Sequence, residues 1–85
     1  MNSIDFAQNV ITLALKWNMS VTSWGRTRNR NTAVGGVEDS YHILWLGCDV
    51  VFDGVTQKDI KFEHDAGSVG LVALWEANHY HLQPK

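Results

Sequence analysis

Two segments far apart in the chain constrain its fold most: Ser40-Tyr-His42-Ile-Leu-Trp-Leu-Gly-Cys-Asp49, and the His79-Tyr-His81 that nearly closes the sequence. His42 and Asp49 lie seven positions apart and His81 arrives from the far end, so only folding can unite the two imidazoles and the carboxylate. That trio can hold zinc. Two imidazoles and one carboxylate leave a divalent ion with one net positive charge and a free fourth position, the composition of catalytic rather than structural zinc sites, although the same donors accept other divalent ions. The pattern points to a small zinc hydrolase.

Eighty-five residues make a single domain, 1–85, near the lower limit at which one core is self-sufficient. A bound metal would help such a chain hold together. The 45% hydrophobic content, with four Trp, is enough for a core, and a formal charge of -2 speaks against wholesale binding to nucleic acid or acidic membranes. Arg26, Arg28 and Arg30 beside Trp24 offer a basic, stacking alternative, which the acidic balance disfavours. The lone Cys48 excludes an internal disulfide and a Cys-based zinc finger or ribbon. No leader-like start and no run of about 18 apolar residues is present, so the expectation is a chain made soluble, without a signal peptide and without membrane insertion.

Residues 3–17 read as an amphipathic helix with Ser3 as N-cap, Ile4, Ala7, Ile11 and Ala14 along one stripe, and Val10, Leu13 and Trp17 beside it. Asn18 stops it. Residues 19–24 alternate as a half-buried strand, and 25–40 form a long loop with one helical turn near 31–34. Residues 48–52 are the best strand, which Asp53-Gly54 ends in a turn. Thr56-Gln-Lys-Asp59 resembles a capping box, with Val55 and Ile60 as a staple, for a helix over 57–66 that Gly67 closes. Strands are expected at 69–75 and 80–83, with His79 and His81 on one face. The fold class is therefore α+β: a small antiparallel sheet of about four strands, helices packed on one face and a metal cleft on the other. Cys48, pointing away from Asp49, is expected to be a buried thiol, His64 a surface residue, and Trp24 or Trp45 a platform beside the cleft.

Thr22-Ser-Trp-Gly-Arg26-Thr, Asn31-Thr-Ala-Val-Gly-Gly-Val37, Ser40-x-His42 with Asp49 seven on, Gly70-Leu, and Glu76-x-Asn-His-Tyr-His81-Leu-Gln occur in that order over residues 19–83. Together they resemble the zinc D-alanyl-D-alanine carboxypeptidase family, which includes phage endolysins and shares its fold with the hedgehog signalling domain. The resemblance implies one Zn2+ per chain, held by His42, Asp49 and His81, with His79 as a catalytic helper. It places Arg26 on the substrate's carboxylate or carbonyl and Ser40 in the same cleft. It implies a peptidoglycan stem-peptide substrate, cut by a D-Ala-D-Ala carboxypeptidase or an L-Ala-D-Glu endopeptidase activity. The setting would be cell wall degradation in a bacterium or bacteriophage, with synthesis in the cytoplasm and action at the wall. Read from residue type alone, Arg26 can equally be a solvated charge and Ser40 a turn cap.

Three departures from the family stand out. Where many relatives carry an acidic base, three before the last zinc histidine, this chain has Asn78, which cannot take a proton. Glu76 or His79 would then be the base, or the chain is a catalytically impaired zinc-binding module of the same fold. Trp45 stands three after His42, where relatives usually have glycine. The chain is also short for the family, which leaves room for an oligomer or a partner chain to complete it.

Overall fold

The computed structural model describes residues 1–37, 40–53 and 57–85. Four antiparallel strands form its sheet: β1 (Met19–Ser23), β2 (Cys48–Phe52), β3 (Leu71–Glu76) and β4 (His79–Pro84), in the spatial order β1-β2-β4-β3. Three helices accompany them: α1 (Ser3–Trp17), α2 (Arg28–Ala33) and α3 (Ile60–Ser68). The α+β class and the four-stranded antiparallel sheet expected from the sequence are both present.

Side chains alternate across a strand, so each central strand serves two faces. Cys48 and Val50 of β2 and Tyr80 and Leu82 of β4 point into the core, where they meet Phe6, Val10 and Leu13 of α1 and Phe62 and Ala66 of α3. Asp49, His79, His81 and Gln83, the residues between them, are thereby sent to the opposite face. Phe62 anchors the helix side through edge-on contacts with Phe52 (ring centroids 4.8 Å apart) and Trp17 (5.5 Å). The indole N–H of Trp17 donates to Asp65 Oδ2 over 3.0 Å, linking α1 to α3.

Helix α1 has the expected span, but its N-cap is Asn2, whose Oδ1 accepts from the Asp5 N–H, and not Ser3. Its buried stripe is Phe6, Val10 and Leu13, whereas Ile4 and Ile11 are exposed. Both stripes satisfy a helical period. The one carrying Phe6 packs into the core with Val50, Phe62 and Tyr80, and Trp24 stands edge-on to Phe6 at 6.0 Å. Asn18 ends the helix in the left-handed conformation (φ 50°) and turns the chain directly into β1.

The stretch expected as a loop with a turn at 31–34 contains α2, which begins at Arg28 because the Thr27 hydroxyl accepts from the Arg30 N–H. Helix α3 starts at residue 60 rather than 57. Its N-cap is Asp59, whose carboxylate accepts from the N–H groups of Lys61 and Phe62, and Ile60 is exposed. Gly54, Val55 and Thr56, and with them the turn glycine and the expected box and staple, lie outside the described residues. Gly67 is inside α3, not its cap, and Gly70 (φ 79°) makes the turn into β3, which starts two residues later than expected. Strand β4 is longer than 80–83 and begins at His79.

Candidate metal centre

Sheet register builds most of the site. Asp49 of β2 is the direct cross-strand partner of His81 on β4, which in turn faces Leu74 on β3. His42 comes from outside the sheet, on the turn 41–45, where the Ser40 hydroxyl accepts from its N–H over 3.2 Å. Ser40 is therefore a turn cap and, at the same time, part of the cleft wall. Gly47 completes the approach. A Cβ there would stand 3.1 Å from the His42 nitrogen and 3.2 Å from His81 Cε1, so glycine lets the strand and the turn close without pushing either aside.

His42, Asp49 and His81 each direct one donor atom to a common point, all within 4.8 Å of one another. His42 Nε2 is 3.6 Å and His81 Nδ1 3.2 Å from Asp49 Oδ1. Tetrahedral ligands about 2.0–2.2 Å from a zinc ion stand about 3.3–3.6 Å apart, close to the two distances from Asp49.

The outer nitrogens of both rings decide what faces inward. His42 Nδ1 lies 2.6 Å from the carbonyl oxygen of Trp24, an acceptor, so Nδ1 carries the proton and Nε2 offers its lone pair to the centre. His81 Nε2 donates to Gln83 Oε1 over 3.0 Å, which leaves Nδ1 facing the carboxylate. Nδ1 lies 3.2 Å from Asp49 Oδ1, so with no metal present it donates to the carboxylate, and a bound cation would take the place of that proton. Such outer partners orient the imidazoles of metal sites. Gln83 is a candidate partner of the cluster that the sequence reading missed; its position two beyond His81, on the same strand face, was the available signal.

The electrostatics agree. Burial lowers the pKa of His42. Burial alone would raise that of Asp49, but the hydrogen bond with His81 and the surrounding imidazoles outweigh it and hold the carboxyl below its usual range. The same hydrogen bond raises His81. The carboxylate thus stays charged in a half-buried place. Behind the site, Cys48 is fully buried on the core face, and burial, with the charge of Asp49, pushes its thiol up to about 12.

Around the centre runs a cleft of about 360 Å³ whose wall includes Arg26, Ser40, His42, Asp49, Glu76 and His81. The Arg26 N–H donates to the His42 carbonyl oxygen over 2.9 Å. His79 points to the same face as His81. Its Nε2 lies 3.8 Å from Asp49 Oδ1 and 3.4 Å from Glu76 Oε2, while Nδ1 donates to Asn78 Oδ1 over 2.9 Å. Asn78 itself is exposed in the two-residue turn between β3 and β4, and His64 is exposed on α3, away from the cluster. Trp24 is not a cleft platform but a partner of Phe6. Trp45 is half exposed with φ 58°, in the left-handed region that favours glycine, and its indole lies over Gly25. No helix of the described residues is long and apolar enough to cross a membrane. Comparison with protein-family models, with curated proteins and with solved structures returned no match.

Proposed function

We propose that this chain is a zinc-dependent peptidase of the D-alanyl-D-alanine carboxypeptidase kind, acting on peptidoglycan stem peptides. The observation that carries the reading is the cluster of His42, Asp49 and His81, with one nitrogen of each imidazole turned inward, in a cleft whose wall also includes Arg26. The substrate class and the hedgehog-type architecture rest on the sequence resemblance.

His42, Asp49 and His81 would hold the zinc, which supplies Lewis acidity toward a peptide carbonyl and a hydrolytic nucleophile near neutral pH. Arg26 binds the substrate's carboxylate and sets the scissile carbonyl against the cluster. Glu76 Oε2, or His79 Nε2 beside it, accepts the proton of the attacking water and passes it to the leaving amine. Asn78 keeps His79 in the tautomer whose Nε2 can accept. Ser40 lines the cleft and holds the His42 backbone. Placement on the bacterial wall, in a phage or bacterial lysis context, belongs to this proposal.

A second reading, a zinc-binding module of the same fold with little or no activity, is favoured by one observation. Asn78 is exposed and its Oδ1 is engaged by His79, so no carboxylate stands where relatives place their base.

The experiment is metal analysis of chelator-free protein beside His42→Ala and His81→Ala, followed by assay of D-Ala-D-Ala-terminated peptides. About one zinc per chain, lost in both variants, together with hydrolysis, supports the peptidase. Zinc without hydrolysis, and a large gain from Asn78→Asp, supports the silent module. Absence of metal in the parent protein sinks both.

A further inference from the structure

We infer that Asn31, which lies outside the cleft wall and almost out of reach of solvent, positions Arg26 for substrate. The inference rests on the peptidase reading, in which Arg26 holds a carboxylate.

Asn31 is 2% exposed, an unusual place for an amide on a six-residue helix made otherwise of polar and small residues. It ties the chain twice. Its Nδ2–H donates to the Val37 carbonyl oxygen over 2.7 Å, and its own carbonyl oxygen accepts from the Gly36 N–H over 2.9 Å. The Gly35–Val37 segment, one rim of the cleft, is thus folded back onto α2 by Asn31, with help from Thr32, whose carbonyl oxygen accepts from the Gly35 N–H over 3.1 Å.

The third group of Asn31, Oδ1, closes no loop. It presses on Gly36 so tightly that a Cβ there would stand 2.1 Å from it. The same Cβ would stand 3.1 Å from Arg26 Nη1, so the amide and the guanidinium flank one glycine. Among the described residues, the buried side-chain polar atoms without a hydrogen-bond partner are Asn31 Oδ1 and Arg26 Nε. A residue serving only to close the loop would need its N–H groups and its backbone oxygen. The Oδ1 left over places the negative end of the amide dipole beside the Arg26 side chain, where it favours the guanidinium's charge and limits its rotamers. Gly36 is the spacer that lets both groups approach from its two sides. Because both orphaned atoms are buried, Asn31 acts through Arg26 and not on substrate.

The test uses the zinc-loaded full chain and two probes, D-alanyl-D-alanine and its C-terminal amide, with affinities measured by calorimetry. Asn31→Ala removes the amide, and Gly36→Ala keeps it but drives a methyl into Oδ1. In the parent protein the carboxylate form binds at least about tenfold more tightly than the amide, as expected for a charge-assisted pair with arginine. The inference expects that preference to fall to near unity in either variant that still folds, with a lowered thermal midpoint but a zinc content close to that of the parent. A preference that survives in a folded variant overturns the inference and leaves the peptidase reading standing. Joint loss of zinc and folding in both variants overturns it too, by making Asn31 a loop-closing residue only. A parent protein that does not distinguish the two probes defeats the assignment of Arg26 itself, and the inference with it.

Discussion

The backbone N–H of Arg26 donates to the carbonyl oxygen of His42, 2.9 Å away, and His42 answers by donating Nδ1–H to the carbonyl oxygen of Trp24 over 2.6 Å. The two hydrogen bonds clamp residues 24–26 to the 41–45 turn, so the Arg26 backbone and the His42 imidazole share one element. Gly25 lies between the two bonds, covered by the Trp45 indole.

Gly25→Ala is expected to break that clamp. A Cβ at Gly25 would fall 1.9 Å from an indole carbon of Trp45, an overlap that costs about 1–3 kcal/mol of stability if the ring must leave its place. Adding Trp45→Ala should return most of the loss. Urea unfolding of the two single variants and the double variant measures the coupling, and strictly additive effects would show that the contact is irrelevant.

Gln83→Ala should weaken metal binding without removing a ligand. Gln83 Oε1 holds the N–H of His81 Nε2, and partners of this kind typically contribute about 10–100-fold in affinity. Competition against a chromophoric chelator reads the change directly; an unaltered affinity would mean that His81 is oriented by the sheet alone.

Leu13→Ala and Ile11→Ala test which face of α1 is buried. Leu13 is 2% exposed and its truncation should cost about 2–5 kcal/mol, whereas Ile11, 54% exposed, should stay within about 1 kcal/mol of the parent. Denaturant midpoints of the two variants decide it, and equal losses would contradict the observed packing.

Stability should fall in alkali. The Cys48 thiol is pushed up to about 12 from 9.0, chiefly by burial. Burial and the hydrogen bond with Glu63 raise the Tyr80 phenol to about 12 from 10.0. Both groups stay neutral in the folded chain, so above pH 9 the unfolded chain releases protons first and binds fewer of them. The slope of stability against pH is then negative, and the contribution, complete below pH 9, is lost as pH climbs toward 12. Unfolding midpoints from pH 8 to pH 11 should decline, and Cys48→Ala should flatten the decline; a flat profile in the parent would argue against burial of either group. At pH 8 the native thiol should resist alkylation that proceeds readily in denaturant.

Much of the local structure is readable from residue type. Cys48–Phe52 carries Val50, Val51 and Phe52 in succession, residues that favour strands, so β2 is legible from residue type. Asn18 tolerates the left-handed conformation that stops a helix, and α1 ends there as read. The start of α3 was not legible, because both Thr56 and Asp59 can cap a helix. The observed cap has help from 21 residues away, where the Tyr80 hydroxyl accepts from the Asp59 N–H over 2.8 Å. The α1 face was undecided for a similar reason. Two stripes fit one helical period, and only the surface that meets them selects between them.

The candidate centre divides along the same line. Residue chemistry by itself supplied candidate donors: His42, Asp49 and His81 can hold a divalent cation with a position to spare, as the family resemblance also implies, and the lone Cys48 can form no thiolate site of the finger type. Tertiary structure alone decided that they meet and how. The antiparallel register sets Asp49 opposite His81, the 41–45 turn carries His42 over Gly47, and Trp24 and Gln83 choose the ring nitrogens that face inward. The physical reason is that donor type belongs to one side chain, whereas spacing and tautomer belong to contacts between residues distant in sequence.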